Sequence, residues 1–434
     1  MAIADRYGLP VSTSSSVAAQ RYQEGMDRQL SYGPEADERF AASIAADEDF
    51  ALPHAGTALQ ALFRGDGAAA RAAIGRAREL ASNATRRERQ HVEALSVLVA
   101  GDTARALALV DEHVADFPRD ALLVNQASST IGFAGRPDRE AFRMAFLERL
   151  ATAYGEDWWF QSALAFTYHE VGRYAESRRL SERSLAQYPG NAHASHNIAH
   201  VCFETLDNDG GAAFLADWLT GYDRRAPFHC HLAWHLSLFE LHRGNDRRAL
   251  EICERDVLAS PNGRLALIDG AALLWRLMLD DGADGAQRWR PMAELAARSP
   301  RPGFIFGDVH AALAYAASGD SAALSALIDG LRALAAKGHA TAALAVLLVQ
   351  AAAAFGAGDL AATLDHLEPV EGEIHRLGGS HAQWELFEET MAVCYLRLGR
   401  HEQAKRLLRR RLAHRRSARD LAWLRSAEEA AQRA

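Results

Sequence analysis

Apolar residues along most of this chain recur every three or four positions, the spacing that gathers them on one face of a helix. No extended run alternates apolar and polar residues, so strands are not expected. The apolar runs come in pairs. Each pair is punctuated by a glycine, a few polar residues, then Ala and a second apolar face: "GDGAAARAAI", "GDTARALALV", "GRPDREAF", "GRYAESRRL", "GGAAFLADWL", "GNDRRALEIC", "GADGAQRW", "GDSAALSALI", "GDLAATLDHL", "GRHEQAKRLL". The leading glycines are Gly65, Gly101, Gly135, Gly172, Gly210, Gly244, Gly282, Gly319, Gly358 and Gly399, separated by 36, 34, 37, 38, 34, 38, 37, 39 and 41 residues.

Each unit reads as two helices. Glycine tolerates the left-handed conformation that ends the first, and the following Ala lets the second pack closely. Pro118, Pro189 and Pro261 fall after second helices, where the chain can stop. A period near ~34 with Gly and Ala at these offsets is that of tetratricopeptide repeats, although the Trp-Leu-Gly part of that signature is mostly absent. The expected fold is all-α: a tetratricopeptide-like helix-turn-helix solenoid, an α-α superhelix of about ten degenerate repeats. At 434 residues the chain exceeds what one core of ~250–300 residues accommodates. Residues 1–50 are expected to form an N-terminal segment with capping helices, 51–400 the superhelix, and 401–434 basic C-terminal capping helices.

The repeat sets a register. Counting back 13 or 14 residues from each glycine gives a column: Glu88, Leu122, Trp158, His196, His231, Asp269, Phe306. Four residues later a second column reads Val92, Gln126, Ser162, His200, His235, Leu273, His310. Residues four apart share a helix face with Cβ atoms ~6 Å apart, and neighbouring axes lie ~8–10 Å apart. "HNIAH" and "HLAWH" therefore predict a two-by-two patch of imidazoles on adjacent first helices, extended by Asp269 and His310. Glu204 lies one turn beyond His200, and Arg276 in the corresponding place two units on. Such rings can converge on a divalent ion, since Zn–N bonds are ~2.0–2.1 Å, or on a small polar ligand. His196, His200, His231 and His235 are the candidate metal ligands, zinc-like, unless no cofactor is used. His200, His231, His235 and Asp269 are the candidate catalytic groups. His196, Glu204, Trp234, Arg276, His310, Glu88 and Gln383 are candidate ligand contacts. Asn197 and Leu232 stand where the helical zinc-protease motif has its Glu base, which excludes that class.

Composition narrows the classes further. The net charge of −8 gives no global pull toward nucleic acid or anionic lipid. The basic run "KRLLRRRLAHRR", Lys405 to Arg416, is interrupted by Leu and reads as a solvated helix face. Cys202, Cys230, Cys253 and Cys394 form no C-x-x-C, so neither a disulfide framework nor a zinc knuckle is expected. Cys230, between His229 and His231, is a weaker candidate for an activated thiolate. The N-terminus shows no basic start with an apolar core, hence no signal peptide. "TAALAVLLVQAAAAFGAG", from Thr341, reads as a buried solenoid helix rather than a membrane span. A cytoplasmic protein is expected. Phosphate-loop, dinucleotide and nucleophile-elbow motifs are absent.

Local signals complete the reading. Thr85 and Glu88 in "TRRE" form a capping box. Ser15 or Ser16 caps the first helix, with "STSSS" a possible groove lid. Gly378–Gly379 in "LGGSHAQ" break a helix at a tight corner. "GLPVSTSS" (Gly8 to Ser15), "TRRERQHV" (Thr85 to Val92), "HNIAH", "CHLAWH", Asp269 within "LIDGAALLWRL", "QRW" (Gln287 to Trp289), "DVH" (Asp308 to His310) and "GGSHAQ" (Gly379 to Gln383) together resemble the tetratricopeptide repeat protein 38 family and its bacterial relatives over nearly the full length. The resemblance implies an all-helical repeat fold in the cytosol and assigns no reaction. It covers His196, His200, His231, His235, Asp269 and His310, but not Glu204. Two functions follow as expectations. One is a repeat protein binding a small polar ligand or a peptide in a central His-rich groove. The other is an enzyme, a metal- or His-dependent hydrolase, lyase or isomerase, acting on a small polar substrate inside the superhelix. No nucleic-acid or membrane partner is expected.

Overall fold

The computed structural model describes residues 3–281, 286–298 and 302–433, apart from the side chains of 281 and 286–287. Among these residues the regular structure is helical, and the one extended pairing is an isolated bridge between Ala4 and Pro10. The chain is an all-α helical-repeat solenoid in which consecutive helices pack on one another. It divides into two compact units. The first comprises Met1–Ala134, Asp138–Asn197 and Arg225–Phe228; the second comprises Gly135–Pro137, Ile198–Arg224 and His229–Ala434. The division falls inside the Ala192–Glu204 helix.

The turn inside each pair follows from two residues. Gly65, Gly101, Gly319 and Gly358 have φ between 76° and 95°, the left-handed region. The next residues, Asp66, Asp102, Asp320 and Asp359, cap the second helix by accepting from the backbone N–H of Ala69, Arg105, Ala323 and Ala362 at 2.9–3.1 Å. Gly135, Gly172, Gly244 and Gly399 are also left-handed. Gly210 departs from the expectation. It lies inside the Asn208–Trp218 helix, and its N–H is the one that Asp207 caps, at 3.0 Å. The left-handed residue of that turn is Leu206, φ 61°. The turn geometry is kept, but the glycine has moved one capping interval downstream. Gly282 lies outside the described residues.

The first unit is built on an apolar core around Tyr22, Phe40, Phe50, Trp159 and Phe160. Buried beside it is a charged cluster. Asp120 accepts from Arg87 Nε at 2.7 Å, His91 Nδ1 lies 3.0 Å from both of its oxygens, and His113 Nε2 lies 3.1 Å from one. Arg87 also pairs with Asp5 at 3.3 Å. Burial alone would raise the Asp120 carboxyl, but Arg87, His91 and His113 together hold it well below the usual carboxylate range.

In the second unit the long helix Gly263–Asp281 packs against Leu386–Arg397, and Trp275 Nε1 donates to Thr390 Oγ1 at 2.9 Å. The basic run is not simply a solvated face. Arg411 and Arg415 are buried. Arg415 donates to both oxygens of Glu385 at 2.8 and 2.6 Å, and Arg411 to Asp420 at 2.9 Å and Glu388 at 2.7 Å. Arg411 on helix His401–His414 and Arg415, the residue that ends it, thus face inward onto carboxylates outside that helix. Helix Ala342–Gly356 is the expected buried helix, and no described helix is long and apolar enough to cross a membrane.

Candidate functional site

Within the second unit, His231 and His235 stand one turn apart on helix His229–His242, which packs against helix Gly263–Asp281. Asp269 on the latter reaches His231 Nδ1 with both oxygens, at 3.0 and 2.9 Å. His200, on the part of helix Ala192–Glu204 that belongs to this unit, sets its ring edge-on to His235 with centroids 4.4 Å apart. The rings of His231 and His235 are 4.9 Å apart. One nitrogen from each of His200, His231 and His235 lies within 4.8 Å of the others. All three side chains are buried, at 5% exposure or less, and Asp269 is fully enclosed. Trp234 stacks on His231 at 5.3 Å and closes edge-on against His235 at 4.8 Å.

The electrostatics assign roles. Burial raises the Asp269 carboxyl, and the His231 charge and hydrogen bond offset only part of that. When ionised, Asp269 accepts the Nδ1 proton of His231 and selects the tautomer whose Nε2 carries the lone pair. That is the carboxylate–imidazole order found behind metal-binding histidines. It also suits a histidine that takes a proton from a substrate. Cys230 does not join this chemistry: burial pushes its thiol up to about 12, which keeps it protonated rather than nucleophilic.

The remaining sequence candidates each have partners of their own. His196, one turn before His200 on the same helix, belongs to the first unit, where it stacks on Phe166 at 5.6 Å and meets Phe228 edge-on at 5.1 Å. Glu88 completes the expected capping box with Thr85 at 2.8 Å, and its other oxygen accepts from Ser12 N–H at 2.9 Å, tying down the N-terminal segment. Ser15 caps the first helix. Gln383 caps as well, accepting from Ser380 N–H at 3.1 Å. The glycine corner beside it has a packing cause: a Cβ on Gly379 would come within 2.6 Å of the Phe306 ring. Arg276 is committed to Glu389 at 3.1 Å and to the Ala382 carbonyl at 2.6 Å. His310 donates Nδ1–H to the Phe306 carbonyl at 2.7 Å, and burial pushes its pKa down to about 4. Glu204 turns away from the imidazole patch. It pairs with His381 Nδ1 at 3.0 Å and His414 Nε2 at 3.3 Å, partners 177 and 210 positions away that no local pattern reveals. Burial would raise the Glu204 carboxyl, but these hydrogen bonds draw it down to about 2. Sequence reasoning also missed the Arg87–His91–His113–Asp120 cluster, although "TRRERQHV" carries two of its members.

Asp308 supplies a pH-dependent prediction. Its carboxylate accepts from Gly303 N–H at 2.9 Å, yet burial pushes its pKa up to about 7. The folded state thus holds the proton where the unfolded chain, with a carboxyl near ~3.9, has released it. This contribution to stability is fully present below pH ~4 and is lost as pH rises through about 7. Asp308→Asn keeps an acceptor for Gly303 without the charge. It is expected to match the parent in urea unfolding at pH ~3.5, below the unfolded-chain value, and to exceed it at pH 8. Equal midpoints at pH 8 would contradict the assignment.

No protein-family profile matches the chain. Among solved structures it is similar to a tetratricopeptide repeat protein from Parabacteroides merdae, at 11% identity over 57% of this chain and 91% of that one, TM-score 0.38. It is similar to human IFIT1 in a dimer with m7Gppp-AAAA, at 13% identity over 84% and 90%, TM-score 0.40. It is also similar to yeast Tom70, at 12% identity over 96% of both chains, TM-score 0.33.

Proposed function

We propose that this chain is a binding protein of the tetratricopeptide class, a bacterial member of the repeat protein 38 family, whose second unit holds a small polar ligand at His200, His231 and His235. The observation that carries this reading is the His231–Asp269 pair beside two further imidazoles, with one nitrogen of each ring within 4.8 Å of the others. A divalent transition metal is the simplest species that this donor set satisfies. Burial of all three rings favours a small ligand over a peptide, which needs an open trough. A cytoplasmic setting accords with four buried cysteines, none of them in a disulfide.

An enzyme is the second reading, favoured by the same pair. Asp269 holds one nitrogen of His231 and leaves the other to move a proton on a small polar substrate. A metal held by the imidazoles would supply a polarised water. Hydrolysis, elimination and isomerisation all fit this arrangement. The test of the binding reading is metal analysis of the purified protein, followed by Co2+ titration. His231→Ala and His235→Ala are expected to abolish binding at these rings and keep the helical circular dichroism. Wild-type protein that neither carries nor binds a metal there would remove the metal reading. Collapse of the fold in both variants would make the rings packing elements.

A further inference from the structure

Glu204, His381 and His414 meet apart from the three imidazoles, and neither reading above uses them. We propose that they form a second metal site, for a divalent ion of the zinc class with one coordination position open to water. The three residues come from separate stretches of the second unit: the last residue of helix Ala192–Glu204, the first of the short helix His381–Trp384, and the last of helix His401–His414. One donor atom from each lies within 4.8 Å of the other two. His381 Nδ1 is 3.0 Å from one Glu204 oxygen, and His414 Nε2 is 3.3 Å from the other. Metal bonds of ~2.0–2.2 Å at tetrahedral angles set donors about 3.3–3.6 Å apart, so small ring adjustments suffice.

The donor chemistry also fits. Two imidazoles and one carboxylate form a set that zinc uses where the fourth position is kept for water or substrate. His381 already has an outer partner: its Nε2 faces Glu385 at 3.6 Å, which would fix the ring and raise its basicity while Nδ1 meets the ion. Arg415, the cation that acts on Glu204, is committed to Glu385 at 2.6 Å. The Glu204 side chain is 4% exposed and that of His414 is 53% exposed, so the site has a buried anchor and a face toward solvent. An ion there would bridge the two rings and the carboxylate in place of their direct contacts.

The test is titration of the full-length protein with Co2+, read by visible absorption and reversed with Zn2+. His414→Ala is expected to remove one equivalent, or to weaken it at least about tenfold, the smallest loss that even an outer partner causes. Circular dichroism should not change, because the ring is half exposed. His235→Ala should leave this equivalent in place, so failure of the three-imidazole site is read separately. Glu204→Gln, nearly the same shape, should show the same loss as His414→Ala. Wild-type Co2+ affinity and stoichiometry in both His414→Ala and Glu204→Gln would overturn the site and leave the three residues a plain ion pair.

Discussion

Asp269→Asn is expected to weaken Co2+ binding at His200, His231 and His235 by about 10–100-fold, the usual effect of losing an outer carboxylate. The substitution preserves volume and leaves an amide within reach of His231 Nδ1, now 2.9–3.0 Å from both Asp269 oxygens. What it removes is the negative charge that favours the Nδ1–H tautomer. An asparagine presents its carbonyl or its NH2 with little preference, so the imidazole is no longer fixed with its Nε2 lone pair available. Stability should change little, because burial already opposes the Asp269 charge. The comparison is Co2+ affinity against urea midpoint. Unchanged affinity would detach Asp269 from the site, and a large loss of stability with unchanged affinity would make it a packing residue.

The largest loss of stability is expected from Asp120→Ala, about 3–5 kcal/mol, the cost of breaking a buried pair from one side. Arg87 is 2% exposed and donates its Nε to Asp120 at 2.7 Å. Without the carboxylate, that guanidinium keeps Asp5 at 3.3 Å, and both histidines lose this partner, His113 retaining Gln90 Oε1 at 3.2 Å. The pH dependence has a definite sign. The folded-state carboxyl lies well below its ordinary value, so its contribution is fully present above pH ~3.9 and is lost as pH falls below it. Urea unfolding from pH 6 down to pH 3 should therefore show a steeper acid loss in the parent than in Asp120→Ala. Parallel profiles would mean that the cluster does not couple to folding.

The fold was legible because each repeat is specified locally. A left-handed Gly followed by a capping Asp appears as two adjacent letters, and four such turns have the geometry that the letters require. The reading slipped at Gly210, where Leu206 and Asp207 make the same turn without glycine at its left-handed position. The candidate site was legible in part. His231 and His235 needed only helical periodicity, and His200 and Asp269 needed only that successive helices pack side by side. Glu204, placed on the same wall by counting, instead faces His381 and His414. Lys405 to Arg416 looked like a solvated run because its partners, Glu385, Glu388 and Asp420, lie outside that run.

By itself, then, the sequence determined what neighbouring residues determine: helices, their turns and caps, and which imidazoles share a turn or an adjacent helix. Only the tertiary structure decided which charges are buried together, which way Glu204 turns, and that Asp269 holds His231 by its Nδ1. The physical reason is range. Helical periodicity and capping act within a few residues along the chain, whereas desolvation and ion pairing depend on what the folded chain brings within a few ångströms, here across as many as 210 positions between Glu204 and His414.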